Sequence, residues 1–279
     1  MDSKAIKANQ QSAWSAAAAG SRTYDNELRE YLTPMIERMV AMLKPGQRVL
    51  DVCSGSGEPA LSAARRVLPG GEVIGIDIAE KMLEVARQLA VEQGVSNVEF
   101  RPMDAELLEF PEGHFDAAIF QFGLMFLPDP DACLTRLRHV LKPGAPLGVS
   151  CWADAKLNPW VTIPGRLVRQ YVTLPPSDPN SPGPFAFADP DRLSGALTAA
   201  GFSRVSVEPI ELVMSDFETG ADFVVFSHEL GRGMLRMARE KLSPERYAAL
   251  SAEIAHEVEQ AGGGRAYLKG TAWLATAEA

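Results

Sequence analysis

Residues 49–60, VLDVCSGSGEPA, constrain this chain more than any other stretch. An apolar β-rich run meets a glycine turn, and a helix-compatible segment follows. A turn of this kind lets a ligand lie against bare backbone, because glycine carries no Cβ to hold it off. It also predicts what surrounds it, since a strand that feeds a helix through a tight turn belongs to a βαβ unit.

The rest of the chain carries that prediction forward. Between residues 48 and 152, short β-rich runs alternate with helical ones. Strands are expected at 48–52, 72–77, 97–102, 115–120 and 146–151, with helices at about 58–68, 79–93 and 130–141. In the last of these, Leu134, Leu137, Val140 and Leu141 share one stripe, and Lys142-Pro143-Gly144 forms a stop signal. Apolar strands joined by helices predict an open α/β sandwich with a mostly parallel sheet, because each crossover helix must pack back onto the sheet. Outside this core, residues 1–43 read as helical, with Met35, Ile36, Met39, Val40 and Leu43 forming an apolar stripe. Residues 174–190 carry six prolines and read as a loop. A helix is expected at 190–200, a strand at 203–213, helices at about 219–240 and 244–260, and a final strand at 266–275. Helical pieces at 1–43, 153–173 and 219–260 are placed to roof the carboxyl edge of the sheet, where open α/β folds bind ligands.

Composition narrows the partners. A formal charge of −9 opposes binding to nucleic-acid phosphates. Three cysteines (Cys53, Cys133, Cys151) and four scattered histidines lack metal-ligand spacing, so no metal is expected and the thiols read as reduced. No run of about 18 apolar residues occurs, so no membrane span is expected and the chain reads as cytoplasmic.

The turn itself leaves two ligands in play. Gly55-x-Gly57-x-x-Ala60, with Asp77 ending the next strand, satisfies the dinucleotide pattern and would suit NAD. Three features point elsewhere. Asp51 ends the strand just before the turn, where a carboxylate repels a pyrophosphate and attracts an ammonium or sulfonium group. Asp104 ends the third strand, where its carboxylate can accept from an adenine amino group. The fourth strand runs into Gln121-Phe122-Gly123-Leu124-Met125, an uncharged mouth suited to a methionyl tail and an apolar substrate.

Taken in order, VLDVCSGSGE, VIGIDIAEKML, RPMDAELLEF, FDAAIFQFGLMFLPD and LRHVLKPGAPLGVSCW resemble the successive motifs of class I S-adenosylmethionine-dependent methyltransferases. Within that class they are similar to the small-molecule group that includes quinone-biosynthesis C-methyltransferases. The resemblance covers about residues 45–152, more weakly through LTAAGF at 197–202. It implies a Rossmann-like seven-stranded sheet, mostly parallel with the last strand antiparallel, helices on both faces and helical cap segments. It divides the chain into an N-terminal helical cap, 1–43, and a cofactor-binding domain, 44–279, with cap insertions at about 153–188 and 214–262. It implies S-adenosylmethionine as cofactor and methyl transfer to oxygen or carbon of a small apolar or aromatic metabolite. By residue, Asp51, Gly55 and Gly57 would line the methionine part, and Asp77 would chelate the ribose hydroxyls. Ile78 and Met82 would pack around the adenosine, Asp104 and Ala105 would read the adenine edge, and Gln121 would border the methionyl group. Tyr24 would close over the cofactor. The family usually has glycine where Cys53 stands, which puts the closeness of backbone approach there in question.

Each assignment has a plainer counterpart. Asp77 can cap the 79–93 helix, Met82 can be core, and the cysteines can be small buried hydrophobes. No general base stands out, and His228 in the expected roof is the best candidate. A cofactor-binding chain without catalysis and an NAD-dependent oxidoreductase are the competing classes. The ribose assignment has a direct check: Asp77→Ala should weaken cofactor binding at least tenfold, about 1.4 kcal/mol. Unchanged affinity in a calorimetric titration would remove it.

Overall fold

A computed structural model describes residues 3–173, 181–230 and 234–279. Residues 174–180 of the expected proline-rich loop, and 231–233 within the expected 219–240 helical run, lie outside the described residues.

The strands β1 (Arg48–Val52), β2 (Glu72–Asp77), β3 (Val98–Pro102), β4 (Ala117–Gln121), β5 (Pro146–Trp152), β6 (Ser203–Phe217) and β7 (Ala266–Glu278) form one sheet in the order β3-β2-β1-β4-β5-β7-β6. β1 pairs in parallel with both β2 and β4, whereas β7 runs antiparallel to β5 and β6, so the expected sheet and its single reversed strand are both present. The fourth strand starts later than its sequence suggested. Phe115 makes an isolated bridge to Leu141, and the continuous ladder begins at Ala117.

Helices α3 (Ala60–Arg66) and α4 (Glu80–Glu92) connect β1 to β2 and β2 to β3, and α5 (Pro130–Val140) connects β4 to β5. The chain moves one way from β1 to β3 and the other way from β4 to β5. Right-handed crossovers in opposite directions put their helices on opposite faces of the sheet. This two-sided cover explains why β1 reads as an apolar run: Val49, Leu50 and Val52 are all fully buried. Burial of each such side chain is worth about 1.5–3 kcal/mol. The reversal also opens a crevice at the carboxyl ends of β1 and β4, where the glycine turn lies.

Local chemistry sets the ends of these elements. At α5, Asp129 Oδ1 accepts the Ala132 amide at 2.9 Å, Pro130 opens the helix, and Leu134, Leu137 and Val140 are buried as their stripe requires. The helix stops at Val140, and Gly144 turns the chain with φ +77°.

The N-terminal segment divides into α1 (Ser3–Thr23) and α2 (Asp25–Ala41), which play different parts. In α2, Met35, Ile36 and Met39 are buried, and Met39 and Met42 pack against Gly148 of β5, so this helix covers the sheet rather than capping its edge. α1 lies across the carboxyl edge: Lys7 reaches Asp104 and Gln11 reaches the carbonyl of Ile78. Helices α6 (Pro159–Tyr171), α8 (Gly220–Leu230), α9 (Met234–Lys241) and α10 (Pro244–Ala261) share a second apolar cluster with β7, built on Leu167, Val168, Phe223, Leu250 and Ile254. Helix α7 (Pro190–Ala199) instead buries Leu193 and Leu197 in the main core.

One buried side chain fastens this second cluster to the sheet. Asn158 donates to the carbonyls of Ala153 (3.2 Å), Asp154 (3.1 Å) and Thr271 (3.0 Å) and accepts from the Thr271 amide (3.2 Å) and the Trp160 indole (3.0 Å). Removing it strands several buried partners at once. Asn158→Ala should therefore cost about 2–4 kcal/mol, measured as a lower urea midpoint at unchanged slope.

Candidate functional site

The carboxyl ends of β1, β2 and β3 bring Asp51, Asp77 and Asp104 to one edge, and the three differ sharply in how they are held. Asp77 is engaged at both oxygens: Oδ1 accepts the Ala79 amide at 2.8 Å and Oδ2 accepts the Gly55 amide at 3.1 Å. It thus shapes the start of α4 and pins the glycine turn, so its structural role is real. Each oxygen keeps a second lone pair, which leaves room for a hydroxyl donor. Burial pushes this carboxyl above its ordinary range, while the Ala79, Gly55 and Ile78 amides draw it back.

Asp51 is different. It is fully buried, and neither carboxylate oxygen has a hydrogen-bond partner among the described residues. Burial first, then Glu58 and Asp77, push its pKa well above the carboxylate range. The Ala60 amide at the head of α3 favours the charged form but lies outside hydrogen-bond geometry. Oε1 of Glu58 is likewise shut from solvent without a partner, although Oε2 accepts the Ser62 amide at 3.2 Å. The side-chain oxygen of Gln121 is a further buried acceptor of the same kind. Unpartnered buried acceptors are costly, and several at one crevice mark a place where a donor belongs.

The turn between these acids is open to close approach. Gly55 has φ +53° with nothing within 4 Å of an added Cβ, whereas at Gly57, φ +120°, a Cβ would lie 3.2 Å from Leu61 and 3.3 Å from Ala86. Cys53 takes a left-handed conformation, φ 58°, that favours glycine. Its side chain fits because residue 123 is glycine: a Cβ there would stand 2.6 Å from the Cys53 Cβ and 2.5 Å from the Phe120 ring. Burial raises the Cys53 thiol well above its ordinary range, and Cys133 and Cys151 are fully buried with thiols raised the same way. None of the three is poised as a thiolate nucleophile.

At Asp104, Oδ1 accepts the Glu106 amide at 2.9 Å, and Oδ2 is met by the Lys7 ammonium at 2.6 Å. Lys7 also reaches Glu106 at 2.6 Å. Burial disfavours its charge, but the hydrogen bonds to Asp104 and Glu106 outweigh this and raise its pKa. Helix α1 therefore already sits on the oxygen expected to meet adenine. Ile78 is half-buried, whereas Ala105 and Met82 are buried in the main core. Tyr24, between α1 and α2, packs edge-on against Phe226 at 5.0 Å. His228 lies 3.3 Å from Arg239 and edge-on to Tyr247, so its partners are cap residues rather than the strand-end carboxylates.

Beyond β4, Phe122 is held at φ 52°, with its amide donating to the Ser150 carbonyl at 3.1 Å. Its ring stacks on Trp152 at 4.1 Å, and Trp152 meets Trp160 edge-on at 4.8 Å. A bulky side chain in the left-handed region is uncommon and collects at functional sites. A shallow groove at the opposite edge of the sheet is lined by Arg48, Glu72, Asp116 and Lys142, but these acids and bases pair with one another there.

Sequence reasoning missed Lys7, Gln11 and Glu58. Nothing in a sequence separation of 97 residues signals that Lys7 meets Asp104. Glu58 had a signal, since it is the one ionisable residue in the quoted turn SGSGEPA.

Comparison with known proteins agrees with this geometry. Residues 49–144 match a family model described as a methyltransferase domain. The chain is 30% identical to nocamycin O-methyltransferase of Saccharothrix syringae, over 84% of this chain and 86% of that protein. It is 33% identical to a ubiquinone/menaquinone biosynthesis C-methyltransferase of Pseudomonas putida, over 59% of this chain and 68% of that one. A solved SAM-dependent methyltransferase from Aquifex aeolicus superposes with a TM-score of 0.53 at 23% identity, covering 70% and 92% of the two chains.

The unpartnered Asp51 gives a test that needs no catalysis. With its folded-state pKa raised, this group favours folding most below about pH 4, and the benefit is lost as pH rises through the folded value. Asp51→Asn should therefore stabilise the ligand-free chain at pH 7 by about 1–3 kcal/mol. The gain should vanish below about pH 4, as thermal melts across that range would show.

Proposed function

The chain belongs to the class I S-adenosylmethionine-dependent methyltransferases, and from that premise we propose that it methylates oxygen or carbon of a small aromatic metabolite. The observation that carries the acceptor class is the ladder Phe122–Trp152–Trp160 at the ends of β4 and β5, an uncharged wall whose rings are already stacked. Offset and edge-on partners of that kind favour a flat aromatic guest. The names of the relatives add support, because one is an O-methyltransferase and another a C-methyltransferase of quinone biosynthesis. The net charge of −9 speaks for a small molecule over nucleic acid.

When bound, S-adenosylmethionine supplies a methyl group already activated by its sulfonium. Everything else falls to the chain. In this reading Asp51, Gly55, Gly57 and Gln121 hold the methionyl part, Asp77 holds the ribose hydroxyls, and Ile78 and Met82 pack around the adenosine. Asp104 and Ala105 face the adenine edge. The division into a cap, 1–43, and a cofactor-binding domain, 44–279, is read functionally, with α1 excluding water from the carboxyl edge. Orientation of acceptor against donor is the main contribution, worth about 7–11 kcal/mol in favourable cases. Excluding water removes a competing nucleophile. No proton acceptor is assigned, since Tyr24 packs on Phe226 and His228 lies against Arg239 and Tyr247 of the cap.

The test is methyl transfer from isotopically labelled S-adenosylmethionine to a panel of phenols, quinones, aliphatic alcohols and amines. Aromatic acceptors should be preferred, and Phe122→Leu should raise their KM about threefold to tenfold while leaving cofactor affinity alone. Equal use of aliphatic acceptors, or an unmoved KM, would overturn the acceptor assignment.

A further inference from the structure

Three buried carboxylate oxygens beside the glycine turn lack donors, Oδ1 and Oδ2 of Asp51 and Oε1 of Glu58, and Ser54 Oγ in the turn and Gln121 Oε1 are unpartnered as well. Asp51 is fully buried, Oε1 of Glu58 is shut from solvent, and Glu58 is among the groups that raise Asp51. Two such acids hold charge together at little cost only when a cation lies with them. The groups that face Glu58 from its surroundings are Arg65 of α3, Arg29 of α2 and the amide and hydroxyl of Ser62, and none of them bonds to Oε1. Arg29 instead donates to Asn26 at 2.9 Å, and Arg65 is bonded to Gln93. What the turn lacks is a compact positive group with several N–H donors.

The cofactor of this family carries two positive centres, and they differ in what they can satisfy. A sulfonium has charge but no hydrogen to donate. An α-ammonium has both charge and three N–H donors, which orphaned carboxylate oxygens can accept. We infer that Glu58 is a second ammonium-binding carboxylate, closing with Asp51 around the α-amino group of the methionyl moiety. The inference rests on the reading of the turn as the cofactor site and adds to it a residue outside the glycine pattern. Glu58 thereby becomes a determinant of which nucleosides the chain retains: those with an amino-acid tail over those without one.

Three ligands separate these claims by calorimetry or thermal shift, with no turnover required. S-adenosylmethionine has both the sulfonium and the amino-acid tail, S-adenosylhomocysteine has only the tail, and 5′-methylthioadenosine has neither. Glu58→Gln keeps an acceptor for the Ser62 amide and loses only the charge. It should bind S-adenosylmethionine and S-adenosylhomocysteine at least about tenfold more weakly. Methylthioadenosine should bind it within about twofold of the parent chain, which also shows that the variant's site is folded. Equal loss for all three ligands would mean that Glu58 acts by holding the turn, and loss confined to S-adenosylmethionine would mean that it meets the sulfonium. Either result, or no loss at all, overturns the inference while leaving the cofactor site in place. If the parent chain binds none of the three, the reading of the turn falls as well.

Discussion

The constraint on which this structure depends is a carboxylate placed where water cannot reach it. Asp51 sits at the end of a strand flanked on both sides by parallel neighbours, at the point where the sheet changes its direction of winding. A hydrophobic core normally has no tolerance for such a group. Its cost falls at the crevice, beside the bare backbone of Gly55 and the carboxylates of Asp77 and Asp104, which sets that edge apart from the rest of the sheet.

The surroundings of that crevice divide the labour. One wall is charged, from Asp51 through Glu58 and Asp77 to Asp104, and it belongs to the first three strands and the turn. The other is aromatic, and it belongs to the loop after β4 and to the passage from β5 into α6. Between them stands Gln121, polar but uncharged. Helix α1 spans the charged side through Lys7 and Gln11, and Trp14 of the same helix lies edge-on to Phe126 at 5.4 Å. The second half of α1 is anchored differently, because Ala17 and Ala18 are buried in the main core and Gly20 lies against the backbone of Glu229.

Much of this was legible in the sequence, for physical reasons that differ by element. The doubly covered strands announce themselves as apolar runs, and α5 carries its cap, its stripe and its stop signal in consecutive letters. The positions of Asp51, Asp77 and Asp104 follow once the strands are placed, since a strand end fixes where its next residue stands. What could not be read is what depends on contact between distant segments. The approach of Lys7 to Asp104 and the seating of Tyr24 on Phe226 join parts of the chain that share no local pattern. Helices α8 and α9 both fall inside one long helical expectation, 219–240, whose residues 231–233 lie outside the described ones. Residues 1–43 looked uniform, yet packing sends one half to the edge and the other into the sheet. Glu58 is the instructive case: its letter was visible inside the turn, but the enclosure of its Oε1 was not.

The pairing of Cys53 with Gly123 constrains the two positions unequally. A side chain at position 53 fits only against a bare backbone at 123, while glycine at 123 is demanded independently by the Phe120 ring. Trimming residue 53 to glycine would therefore leave position 123 as restricted as before.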